Sequence, residues 1–131
     1  MAKRVKVVVT EEPTKKENIT YRKKVIFSIV SLATQEINGV DSISRNSVSV
    51  FKRAFDKNMN KGIIVTYDKN HKVNIDVFIN VKFGYSVKDV SFRVQENIKQ
   101  SIESMTEDKV GQINVHIVGV IFNENDSEFI S

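Results

Sequence analysis

The residues that could carry chemistry are few. In Ser49-Val-Phe-Lys52 a serine stands three residues before a lysine. One class of acyl-transfer enzymes uses that spacing to let a lysine draw the proton from the serine hydroxyl. Its companion Ser-Asp-Asn and Lys-Thr-Gly segments are absent from the sequence, so the match reads as coincidence. The two histidines, His71 and His116, lack the HxH or HxxxH spacing that brings two imidazoles onto one metal ion. They read as a turn histidine and a half-exposed strand histidine. With no cysteine there is no thiolate nucleophile, disulfide or cysteine-based metal site. No GxGxxG, Walker loop, HExxH or GxSxG occurs. Glu103, Glu107 and Asp108 gather at the end of a helical pattern, where solvated charge is the plain reading. The expectation is a protein that is not an enzyme and has no catalytic, cofactor-binding or metal-binding residues.

The elements behind these residues are easier to read. From Ser86 onward, Val87, Val90, Val94, Ile98, Ile102 and Met105 recur every three or four positions, which predicts a helix of about five turns with one buried stripe. Ser86 and Asp89 fit a capping box at its start. Because Met105 is read as part of the stripe, Met105→Asp is expected to unfold the domain. The period then changes to two. Ile113, Val115, Ile117 and Ile121 point one way, and Asn114, His116, Val118, Val120 and Phe122 the other. Upstream, Val73, Ile75, Val77, Ile79, Val81 and Phe83 alternate without a break and predict a strand over 73–83. Gly62 to Tyr67 predicts a shorter strand, joined to it by the turn Asp68–His71 as a hairpin. A first helix is predicted from Tyr21 to Asn38, with Val25, Ile29, Leu32, Ala33 and Ile37 buried, Ile26 and Val30 beside them, and Gly39 left-handed after its end. Asp41 to Gly62 fits neither period, and a short amphipathic helical turn is favoured there over a strand.

The fold class expected is therefore α+β: a two-layer sandwich with a small mixed β-sheet and two helices on one face. Strands 73–83 and 112–122, joined through a helix, are expected to be parallel. The division expected is a flexible basic arm at 1–18, a single domain at 19–122 and an acidic tail at 123–131. Val5–Val9 within the arm is read as a weak edge strand. The longest nearly apolar run, Val25 to Ala33, is too short to span a bilayer, and MAKRVKVVVT is no secretory signal. A cytoplasmic protein without direct membrane insertion is expected.

The formal net charge is +4, with basic residues at Lys3, Arg4, Lys6, Lys15 and Lys16 and again at Lys52, Arg53, Lys57 and Lys61. The alternative to a protein-contact role is an RNA-binding module using this arm and loop. Against it, no glycine pair has the GxxG spacing of a KH clamp, and the strands lack the paired aromatics of an RRM. Lysine is also three times as common as arginine, as on an ordinary solvated surface. A protein partner or self-association is the favoured reading and nucleic acid the disfavoured one. With Val73 to Val81 inward, the sheet face away from the helices would carry Phe78, Asn114, His116, Val118, Val120 and Phe122. These are the candidate partner-binding residues, a mixed apolar and polar patch suited to a reversible contact.

Four ordered segments resemble one family. They are Phe83-Gly84-Tyr85-Ser86-Val87, Val94-Gln95-Glu96-Asn97-Ile98-Lys99, Ile102-Glu103-Ser104-Met105-Thr106, and Ile113-Asn114-Val115-His116-Ile117-Val118-Gly119-Val120. They are similar to the Tyr-Gly pair, QENVK, ESMTG and VNVHVxGV segments of the alkaline shock protein family. Ala33, Glu36-Ile37 and Gly39-Val40 resemble the end of its first helix, and Lys61-Gly62 the start of its next strand. The resemblance covers residues 20 to 122. The sequence departs from it at Lys88, where the family has proline, at Arg22 and Lys24, where it has a hydroxyl and an acidic residue, and at Glu107, where it has glycine. The resemblance implies a non-enzymatic bacterial protein of the envelope stress response, without cofactor. It also implies a place at the cytoplasmic face of the membrane, held there by a membrane-anchored relative.

Overall fold

The structure, a computed structural model, describes residues 15–45 and 62–123, with side chains from Tyr21 onward in the first helix. Its elements are α1 (Lys15–Gln35), β1 (Val40–Ile43), β2 (Ile63–Tyr67), β3 (Val73–Lys82), α2 (Val87–Met105) and β4 (Val110–Ile121). Strand β3 is central because its alternation is complete. Val73, Ile75, Val77, Ile79 and Val81 all point to the helices and are 0% exposed. β1 and β2 run antiparallel to β3, and β4 runs parallel to it, giving a mixed four-stranded sheet.

The backbone of Phe78 fixes the layout. Its carbonyl accepts from Ser44 N at 2.7 Å, and its N–H donates to Gly62 O at 2.9 Å. The N–H and C=O of one strand residue point to the same side. β1 and β2 therefore lie end to end along one edge of β3, and β4 lies along the other. Gly62 closes this seam with φ +86°, and a Cβ there would stand 2.5 Å from both Ser44 O and Ile43 Cγ2. Only glycine tolerates that backbone and that approach.

Both helices pack on the face to which the odd residues of β3 point. α2 buries Val90, Val94, Ile98 and Ile102, and α1 buries Ile26, Ile29, Val30 and Ala33 in the same core. At the start of α2, Ser86 Oγ accepts from Asp89 N at 3.3 Å, which is one half of the predicted capping box. At its end Thr106 turns back on Ile102 O through both its N–H and its hydroxyl. The helices are tied by Asn97 Nδ2, which donates to Ala33 O at 2.8 Å. Gly39 has φ +101°, as expected, and a Cβ there would meet Val90 Cγ2 at 2.7 Å and Tyr85 at 2.8 Å. The α1–β1 connection thus rests directly on α2.

Several expectations are corrected. Met105 is 69% exposed and Val87 39%, because α2 extends past the sheet at both ends of its stripe. Leu32 is 64% exposed, since the buried arc of α1 runs through Ile26, Ile29, Val30 and Ala33 and leaves Leu32 on the solvent side. α1 begins at Lys15, inside the stretch read as an arm, and ends at Gln35. Val40–Ile43 is a strand, with a register shift between Val40 and Ser42. The rest of the stretch read as a helical turn, 46–61, lies outside the described residues. So do Val5–Val9 and the tail beyond Asn123.

Met105→Asp should therefore leave the melting midpoint close to that of the parent chain. Ile98→Asp, at a 0% exposed position, should unfold the domain. An unpaired buried carboxylate costs several kcal/mol against a total stability of about 5–15 kcal/mol. Thermal melts of the two variants decide it, and equal midpoints would overturn the orientation of α2.

Candidate functional site

Even-numbered residues of β3 face away from the helices, and their neighbours in register build the outer face. The parallel register sets Asp76 beside Asn114 and Phe78 beside His116. His116 Nε2 lies 2.9 Å from Asp76 Oδ1, and Asn114 Nδ2 donates to the same oxygen at 3.2 Å. The imidazole stacks on the Phe78 ring, with centroids 4.3 Å apart and planes 12° from parallel. Further along, Asn80 Nδ2 donates to Ser42 Oγ at 3.1 Å, and at the other end Asn74 Oδ1 accepts from Gln112 N at 2.8 Å. The face is a ladder of side-chain hydrogen bonds around one aromatic stack. A carboxylate that orients an imidazole is a common device of acid–base sites. Here the pair lies part-buried on a strand surface, with side chains 34% and 19% exposed. Among the described residues no group of three His, Cys, Asp or Glu could hold a metal ion.

The candidate residues read from the sequence do not all meet. Phe78, Asn114 and His116 come together on the outer face. Phe78, however, is only 5% exposed and forms a second small apolar cluster with Ile64. It is not the open apolar residue expected there. The register shifts between Ile79 and Asn80, which pair with Ile117 and Gly119, so Val118 is an extra residue in β4. Beyond this bulge the alternation reverses. Val120 aligns with Val81 on the helix-facing side, and Phe122 meets Phe83 with ring centroids 4.6 Å apart. Val118, Val120 and Phe122 are 44%, 42% and 51% exposed, but Val120 and Phe122 do not share the face of His116. Ile121, assigned inward from the sequence, aligns instead with Lys82 on the outer side. Asp76 and Asn80, which organise the ladder, were not singled out. Their signal was the run of polar residues on the outer parity of an otherwise apolar strand.

A second group sits at the opposite end of the sheet. Arg22 of α1 forms an ion pair with Asp108, just before β4, and its guanidinium lies 5.0 Å from the Tyr67 ring centroid. This bond raises the Arg22 pKa. The Tyr67 hydroxyl is buried and, among the described residues, makes no hydrogen bond of ordinary geometry, the Arg22 guanidinium beside it acting as a nearby charge. That burial, followed by the charge of Asp108, raises the Tyr67 pKa above the usual phenol value. An open hollow of about 630 Å³ beside this group is lined by Tyr21, Arg22, His71, Lys72 and Lys109 among others. His71 takes φ 63° in the turn, where Asp68 Oδ1 accepts from Asn70 N at 2.8 Å and Lys72 N at 3.1 Å. These bonds, that from Lys72 foremost, lower the Asp68 pKa. The basic residues behind the RNA-binding alternative, at 3–16 and 52–61, lie outside the described side chains.

Comparison with known proteins gives one family. Residues 11–122 match the alkaline shock protein 23 family, described as having a cell envelope-related function. YqhY of Bacillus subtilis, an uncharacterized protein, is 36% identical over 106 residues, covering 80% of this chain and 78% of its own. Spy1535 of Streptococcus pyogenes serotype M6, also uncharacterized, is 24% identical over 99 residues, covering 75% and 74%. Among solved structures, two variants of the MamM CTD superpose with a TM-score of 0.51 each, at 13% and 12% identity. They cover 79% and 75% of this chain and 99% and 98% of their own. At that identity the likeness is one of fold.

Tyr67 gives a prediction whose sign follows from linkage. Its native pKa lies above the unfolded value, so its contribution is whole below the ordinary phenol pKa of about 10 and is lost as pH rises through the native value. Tyr67→Phe removes both this loss and the buried hydroxyl. The variant should melt no lower than the parent at neutral pH, with an advantage that grows above about pH 10. Melts across that range check it, and an advantage that shrinks with rising pH would contradict the assignment.

Proposed function

The chain belongs to the alkaline shock protein 23 family, and from that premise we propose that it is a non-enzymatic envelope-homeostasis protein. It acts at the cytoplasmic face of the membrane through protein contacts, and a membrane-anchored partner holds it there. The observation that carries this reading is the outer face of the sheet: among the described residues both helices pack on one face, and the other presents the Asp76–Asn114–His116 ladder and its aromatic stack. A preformed, hydrogen-bonded face with partly exposed polar groups suits a contact that is made and released. No described helix is long and apolar enough to cross a membrane, which fits attachment through a partner.

The double variant His116→Ala, Val118→Ser tests the reading. It should melt within a few degrees of the parent. When the tagged chain is recovered from its own cells after crosslinking, the variant should lose about tenfold in captured partner, a difference of about 1.4 kcal/mol. It should also move from the membrane fraction to the soluble one, while the purified parent chain should not bind neutral liposomes. Unchanged capture by a folded variant would remove the outer face from consideration.

A further inference from the structure

The second edge of the sheet belongs to β4, which among the described residues pairs only with β3. Its outward backbone groups can be identified. Val73 N and Phe83 N donate to Lys109 O and Ile121 O, so the odd residues of β3 turn their amides toward β4. In a parallel pair, the residues in register with them, Ile113, Val115 and Ile117, turn their own N–H and C=O to the far side. Two side chains of α2 cap the first part of that far side. Glu103 Oε2 accepts from Val110 N at 3.2 Å, and Gln95 Nε2 donates to Ile113 O at 2.9 Å. Beyond Ile113 the caps stop. Among the described residues, nothing bonds the outward backbone groups of Val115 and Ile117, in a twelve-residue strand that holds no Lys, Arg, Asp, Glu or Pro. Charge and proline are the usual devices that keep an edge strand from pairing with another chain.

A second observation lies above the same spot. Glu103 reaches Val110 and Gln95 reaches Ile113, so stepping back along α2 steps forward along β4. Phe92 is one turn before Gln95 on the same stripe, and at a helix rise of about 1.5 Å per residue that carries it past Ile113 toward Val115. It is 61% exposed.

We infer that a second copy of this chain occupies this edge, with β4 pairing antiparallel to its twin about a twofold axis at His116. Val115 of one copy and Ile117 of the other then exchange both backbone hydrogen bonds, and the same pairing recurs across the axis. An uncharged strand pairs with itself without repulsion, which any run of like charges would prevent. The half-buried Val115 and Ile117 side chains extend one core into the next, and Phe92 meets its twin on the helix side. The bulge at Val118 ends the pairing after Ile117. This edge is distinct from the outer face described above, and the inference does not rest on that reading.

Three measurements test it on the full chain. Sedimentation over a concentration series should give a monomer–dimer equilibrium, and Phe92→Glu, at an exposed position, should move its midpoint about tenfold higher without lowering the melting temperature. Across the twofold axis the two His116 Cα atoms fall about 4.5 Å apart, within disulfide range. The parent chain has no cysteine, so a bond formed by the His116→Cys variant under mild oxidation joins two copies at that residue. The control Asn70→Cys, in the exposed turn, should not form it. The pairing is overturned by a monomer at every concentration, the result if another protein takes the edge. A dimer that Phe92→Glu does not shift and His116→Cys does not lock also overturns it. Partner capture plays no part in these readouts, so their failure leaves the outer-face proposal standing.

Discussion

The arrangement depends on β3 being paired along both edges while one of its faces is fully removed from water. Five aliphatic side chains at 0% exposure and two sets of ladder bonds hold this strand. Burying a Val or Ile side chain contributes about 1.5–3 kcal/mol, so this row alone is comparable with the whole net stability of a domain. Other elements take their place from it. β1 and β2 share one edge, β4 takes the other, and α1 and α2 lie on the apolar row. The outer ladder also starts from β3, because Asp76, Phe78 and Asn80 occupy the alternate positions of the same strand.

How legible each part was in the sequence follows from this. A strand bonded on both edges with one dry face must alternate strictly, and Val73 to Val81 does. The middle of α2 was equally plain, since Val90, Val94, Ile98 and Ile102 lie over the sheet. Its ends were not. Val87 and Met105 keep the helical period but have no sheet beneath them, and periodicity does not encode where a partner layer stops. α1 offered more apolar residues than one face can bury, so the choice between Leu32 and Val30 was made by the packing of α2 against its neighbour. β1 is four residues long and broken by a register shift, too short for a period to show. The ion pair of Arg22 with Asp108, 86 positions apart, had no local signal.

The candidate site was legible up to one residue. Counting by twos along β4 correctly placed Asn114 and His116 on the outer face and failed after Ile117, because Val118 is extra. A glycine inside a strand is a recognised sign of such a bulge, and Gly119, which aligns with Asn80, was that sign here. The one-residue shift moved Val120 and Phe122 to the other side of the sheet and broke a predicted six-residue patch into two groups. The burial of Phe78 beside Ile64 was illegible for another reason: an outer-face aromatic on a half-covered sheet looks the same in sequence whether it is open or covered.

The seam at Phe78 has a consequence for how this architecture tolerates change. Ser44, at the end of β1, and Gly62, just before β2, are both bonded to Phe78. The register of β1 and of β2 on β3 is thus set locally on each side of the gap. For a flexible segment held at both ends, each doubling of length costs only about 0.6 kcal/mol of closure. The register of β1 and β2 on β3 is therefore expected to survive a change of length between Arg45 and Gly62. The barrier to such a change is Gly62 itself, since every graft must return to a left-handed residue with no room for a Cβ.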